Sequence, residues 1–85
     1  MASELSGTRV AFLTANEGVE QAELTAPWQA VRDAGGVPEL IAPQAGEVQG
    51  FEHVDKADTF QVHRALGDAD PGDYSALKAF QHQSA

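Results

Sequence analysis

Residues Arg9-Val-Ala-Phe-Leu-Thr-Ala15 form a nearly continuous apolar run, followed at once by turn-prone Asn16-Glu17-Gly18. A strand with one wet face alternates polar and apolar residues. A short run that does not alternate must be covered on both faces, as in the parallel sheets of α/β proteins. The next stretch has helical spacing: Leu24, Trp28, Val31 and Ala34 recur three and four apart, and Gly35-Gly36 supplies a stop. Pro27 leaves two starts open, one at Thr25 as N-cap and one near Glu20 with a bend at Pro27. The second is favoured, because it puts Glu20 and Glu23 in the first turn, where the helix dipole attracts acids. Val37-Pro-Glu-Leu-Ile-Ala42 reads as a second strand, closed by Pro43 and a turn at Gly46. Together these segments predict a β-loop-α-β unit with parallel strands.

From Glu47 to Ala65 the texture changes to alternation of β-branched and polar residues, which predicts a β-arm or hairpin with Gly50 at its bend. Val54, Phe60 and Val62 fall on one face, and His53, Asp55, Thr59 and His63 on the other. Asp68-Ala-Asp-Pro-Gly-Asp73 is a turn cluster. Asp70 as N-cap with Pro71 at the first helical position predicts a short C-terminal helix carrying Tyr74, Leu77, Lys78 and Phe80. Met1–Gly7 reads as a disordered polar lead.

Size and charge narrow the function classes. At 85 residues the chain is one small domain, and its 42% apolar content is too high for a disordered one. A net charge of −8 repels phosphate backbones and anionic lipid, so neither nucleic acid nor a membrane surface is an expected partner. No apolar run approaches the ~18–20 residues of a membrane span, and no signal-peptide pattern follows Met1, so a cytoplasmic location is expected. The chain has no Cys, which excludes disulfides, thiolate–metal sites and thiol nucleophiles within it.

In open α/β sheets, ligands gather beyond the carboxyl ends of the strands. Here that position falls on the loop Asn16–Glu23, which lacks both Gly-x-Gly-x-x-Gly spacing and a P-loop lysine. Its carboxylates would also repel phosphate, so no nucleotide cofactor is expected. Glu20 and Glu23, three apart, share one helix face and are the candidate catalytic carboxylates, since crowded carboxylates raise each other's pKa. The plainer reading is a helix N-terminus decorated with acids that suit the dipole. His53, Asp55 and His63 share strand parity, yet the two histidines would lie roughly 30 Å apart on a straight strand, so surface histidines are expected and no metal. No serine sits in a Gly-x-Ser-x-Gly elbow. Trp28 is expected to anchor the helix to the sheet.

The ordered set of segments resembles a known family. Arg9–Trp28, Ala34-Gly-Gly-Val37, Gly46-Glu-Val-Gln-Gly50, Lys56-Ala-Asp-Thr-Phe60 and Ala69-Asp-Pro-Gly-Asp-Tyr-Ser-Ala-Leu77 are similar to the amino-terminal half of PfpI-type intracellular proteases. That family includes the Parkinson-associated deglycase and belongs to the class I glutamine amidotransferase-like superfamily. The resemblance covers about 70 of the 85 residues. It implies a partial flavodoxin-like α/β sandwich, dimerisation, and a reactive Cys beside a His with a first-helix Glu next to the thiol. In the Gly-x-Glu-x-x-Glu pattern Glu23 matches that carboxylate, and Glu20 is the acid one turn before it.

One departure bears on activity. The family continues past this point into a buried strand, a Pro-Gly-Gly turn and a Cys-His elbow, whereas this chain reads Lys78-Ala-Phe-Gln-His-Gln-Ser-Ala85. The expected layout is therefore a lead over residues 1–7, a truncated PfpI-like α/β domain over 8–77, and a divergent polar tail over 78–85. Cysteine-dependent hydrolase or glyoxalase-type chemistry is not expected of it. Loss of later strands would leave apolar surface and a sheet edge open, so a homo-oligomer, or pairing with full-length relatives through that edge, is the expected partnership.

Overall fold

The structure, a computed structural model, describes residues 6–80. Its first strand, β1 (Arg9–Leu13), lies inside a four-stranded parallel sheet. It pairs with β3 (Val37–Ala42) on one side and β7 (Ala76–Ala79) on the other, and the two-residue β6 (Arg64–Ala65) extends the sheet beyond β3. The unalternating run is thus an inner strand, as its composition requires. Val10 and Phe12 point toward the helix layer and Ala11 and Leu13 toward the opposite face, and only Leu13 of these four is not fully buried.

Helix α1 (Gln21–Asp33) starts directly after Glu20 and runs through Pro27, the second of the two starts. Glu20 itself has extended backbone and stands before the first turn, so it does not share a helix face with Glu23, contrary to expectation. Pro27 has no N–H to give to the Glu23 carbonyl, one turn back. Leu24 is buried, and Trp28 and Val31 pack against a core that includes Phe12, Val19, Leu40 and Val48. Phe12 and Trp28 meet with ring centroids 5.1 Å apart. At the other end Gly35 adopts φ +88°, donates to Arg32 O, and lets the Gly36 N–H reach Val31 O. That pair of bonds is a Schellman closure, for which glycine is favoured at the left-handed position.

The segment Glu47–Gln61 forms the expected hairpin, β4 (Glu47–Glu52) against β5 (Asp55–Gln61). The bend, however, is at His53-Val54 rather than Gly50. Gly50 lies inside β4, where an added Cβ would stand 3.0 Å from a Phe60 ring carbon and 3.2 Å from the Asp58 carbonyl. Its bareness serves a close strand approach. The bend leaves Val54 76% exposed, while Phe60 and Val62 are inward as expected. A strand not foreseen, β2 (Glu17–Glu20), occupies part of the segment read as a loop and pairs in parallel with β4, completing a three-stranded sheet β2-β4-β5.

The expected C-terminal helix is not formed. Asp70 does cap a turn at Pro71–Asp73, accepting the Gly72 N–H at 2.9 Å, but that turn is a single 3₁₀ loop. The chain then extends as β7 alongside β1, because Ser75 and Phe80 N–H groups find carbonyls of Arg9 and Leu13. Pairing with an inner strand outweighs a local cap worth about 1 kcal/mol. Phe80 stacks on Phe12 at 6.1 Å. The expected polar tail therefore starts inside a strand. The remainder of the tail, Gln81–Ala85, and the lead Met1–Leu5 lie outside the described residues.

The strand order β6-β3-β1-β7 explains which face is covered. Going from β1 to β3 and going back from β6 to β7 run in opposite directions across the sheet. Right-handed crossovers then put the two connections on opposite faces. Helix α1 covers one. Among the described residues the other has only the irregular segment 66–75, whose Leu66, Ala69, Pro71 and Tyr74 lean over Ala11, Leu13 and Ile41. A groove of about 430 Å³ remains beneath it, with Leu77 64% exposed at its edge.

Candidate functional site

The carboxyl end of β1 leads through buried Thr14 and Asn16 to the start of α1, so the two acids singled out from the sequence sit beyond the parallel strands. Asn16 shapes this corner. Its side-chain amide donates to Gln44 O and Glu47 O at 2.9 and 3.1 Å and accepts from Gln44 N–H at 2.9 Å. Glu20 is the residue before the helix, and its carboxylate accepts the His53 N–H at 3.1 and 3.3 Å. His53 holds φ +60° at the hairpin bend, so Glu20 braces a strained turn. Glu23 is in the first helical turn and exposed. Next to them Gln21 donates to Asp58 Oδ2 at 3.1 Å and accepts Asp58 N–H at 2.8 Å, which fastens the hairpin to the helix start.

A second polar cluster was not singled out in the sequence. Glu39 on β3 takes a hydrogen-bonded ion pair from Arg9, a bond from the Tyr74 hydroxyl at 2.9 Å, and Arg64 at 3.4 Å. Its side chain is only 14% exposed. Burial pushes the Glu39 carboxyl up, but the bonds from Arg9 and Tyr74, with the charges of Arg9 and Arg64, outweigh it and hold the group below its usual range. Burial and donation to Glu39 push the Tyr74 hydroxyl up. The Glu39 contact also raises Arg9. Four residues from 9 to 74 thus clamp β1, β3, β6 and the crossover together. Their dispersion along the chain hides them from any spacing rule.

The histidines do not come together. His53 is at the hairpin bend, and His63 follows β5, where its Nδ1 accepts the Leu40 N–H at 2.9 Å and its ring stacks on Trp28 at 5.7 Å. Among the described residues no three His, Asp or Glu side chains are grouped as metal ligands.

One comparison bears on this arrangement: the model of the DJ-1/PfpI family matches residues 8–78. The chain belongs to the DJ-1/PfpI family. Comparison with curated proteins gives no match. The family match extends to Lys78, into β7, and the architecture is a partial flavodoxin-like fold: a parallel sheet with one helix. No helix among the described residues is long and apolar enough to cross a membrane.

Proposed function

We propose that these residues form a DJ-1/PfpI-type α/β unit that carries acids at the start of α1 without the family's cysteine chemistry. The observation behind this reading is compositional: there is no Cys among the 85 residues, so Glu23 has no thiolate to assist within them, while the Glu20 carboxylate accepts the His53 N–H at the hairpin bend. With Glu20 bonded to the hairpin bend and Glu23 exposed, the two acids do not form the buried, coupled pair by which two carboxylates activate a water. The purified chain is expected to clear no methylglyoxal and hydrolyse no peptide. Turnover that disappears in Glu23→Gln would overturn the reading.

A second reading gives the fold a role that needs no catalysis. The open sheet face with exposed Leu77, and β7 with a free edge in the described residues, favour a cytoplasmic interaction module that self-associates or pairs with full-length relatives. Sedimentation velocity across a hundredfold concentration range tests it. Reversible association that Leu77→Asp removes supports self-association, and a wild-type chain that stays monomeric throughout rules self-association out.

A further inference from the structure

A cleft of about 320 Å³ opens on the helix side of the molecule, well away from the open sheet face. Its floor is Leu24 and Leu40, both almost fully buried, and its walls combine the rings of Trp28, Phe60 and His63 with polar Thr25, Gln29 and Gln61. Trp28 and Phe60 are only partly buried, so each keeps ring surface for another partner. Trp28 packs against Phe12 at 5.1 Å in a tilted arrangement and is stacked on the His63 ring at 5.7 Å, so its ring is fixed in place and one of its faces is already covered by His63.

One polar group in this wall is oriented by the backbone. Leu40 N–H donates to His63 Nδ1, so the neutral imidazole carries its proton on Nε2, the nitrogen turned away from that bond. Ligand sites pair an apolar aromatic lining with a few oriented polar groups, and volumes begin at roughly 300 Å³. The larger groove under the crossover is a poorer candidate, since its Tyr74 hydroxyl is already given to Glu39. The geometry points to a binding site for a small planar heteroaromatic molecule, seated against Phe60 and the part of Trp28 that Phe12 and His63 leave uncovered, with a ring acceptor taking the His63 Nε2–H. The volume suits a one- or two-ring ligand of about ten non-hydrogen atoms, for which a Kd of about 0.1–1 mM is expected. The site requires no catalysis and no pairing of chains, so it stands apart from both readings above.

Trp28 is the sole tryptophan, so its indole N–H gives one unambiguous NMR signal. The full chain is titrated at pH 8 with benzimidazole, which offers a ring acceptor, and with indole, which has the same shape and none. Both are expected to move the Trp28 signal, with benzimidazole about three- to tenfold tighter. Phe60→Ala is expected to weaken both about two- to tenfold. His63→Asn, whose Oδ1 still accepts the Leu40 N–H, is expected to bring the benzimidazole-to-indole ratio to about one. Should that variant not fold, the wild-type ratio and Phe60→Ala still decide. A folded chain whose Trp28 signal is unmoved by benzimidazole at about 5 mM overturns the site, given the expected affinity. Equal affinities in the wild type, or shifts indifferent to both variants, also overturn it. So does a signal that moves on dilution and ignores benzimidazole, which would put a second copy in the cleft.

Discussion

Leu40 and Leu77 lie on strands flanking β1 in the same sheet, but one faces α1 and the other the open side, with exposures of 1% and 64%. Truncating each to alanine measures how differently the two faces are covered. Leu40→Ala removes buried methyl groups from beneath Trp28 and leaves a cavity, a change that costs about 2–5 kcal/mol. Leu77→Ala removes side-chain surface only about a third covered, so the loss is under about 1 kcal/mol at roughly 0.8 kcal/mol per buried methylene. A domain of this size has about 4–13 kcal/mol in all. Leu40→Ala should therefore lower the melting temperature by well over 10 °C, and Leu77→Ala by less than about 8 °C. Urea unfolding followed by Trp28 fluorescence at low micromolar concentration gives both free-energy costs, and thermal unfolding at the same concentration gives both midpoints. If Leu77→Ala costs as much as Leu40→Ala in the dilute monomer, the second face is not open and the argument fails. If the Leu77→Ala cost grows only at high concentration, the face is being covered by association.

Three further perturbations have defined signs. His53→Gly relieves a left-handed residue at the hairpin bend and should stabilise the chain by about 1 kcal/mol in urea unfolding, since such a conformation costs a side-chain-bearing residue about 1–2 kcal/mol. Gly50→Ala drives a Cβ against Phe60 and the Asp58 carbonyl and should destabilise by about 1–3 kcal/mol, with loss of β4–β5 amide protection in hydrogen exchange. Because the Glu39 carboxyl is held low in the folded state, its contribution is complete above the unfolded value of 4.5 and is lost as pH falls through the lower folded value. Stability measured from pH 6 to 3 should accordingly fall more steeply in the wild type than in Glu39→Gln. Parallel curves would show that the clamp contributes nothing.

What the sequence revealed follows the range of the interactions involved. The unalternating β1 run, the α1 stripe with its Gly35-Gly36 closure and the β3 segment were all legible, because periodicity and end signals are local. The ends decided by distant pairing were not. Asp70-Pro71 carries a real helix-start signal, yet the residues after it became β7 once β1 offered a free edge. Glu17–Glu20 looked like loop because its partner, β4, lies some thirty residues on. In the hairpin, glycine was the natural bend, but the strand register put Gly50 where Phe60 crosses and left the turn to His53. Glu23 was found in the first turn of α1 as expected, whereas Glu20 fell just before the helix as the last residue of β2, and the carboxylate with the most partners, Glu39, gave no signal.

The central claim is that these residues form a folded half-sandwich with one face closed by α1 and the other open to a partner. Thermal unfolding followed by circular dichroism, with mass taken by light scattering at each concentration, tests it most directly. The account predicts one cooperative transition whose midpoint rises with concentration, and a mass above 9.0 kDa at the upper end. A gradual, featureless melt, or a cooperative one fixed at the monomer mass at every concentration, would contradict it.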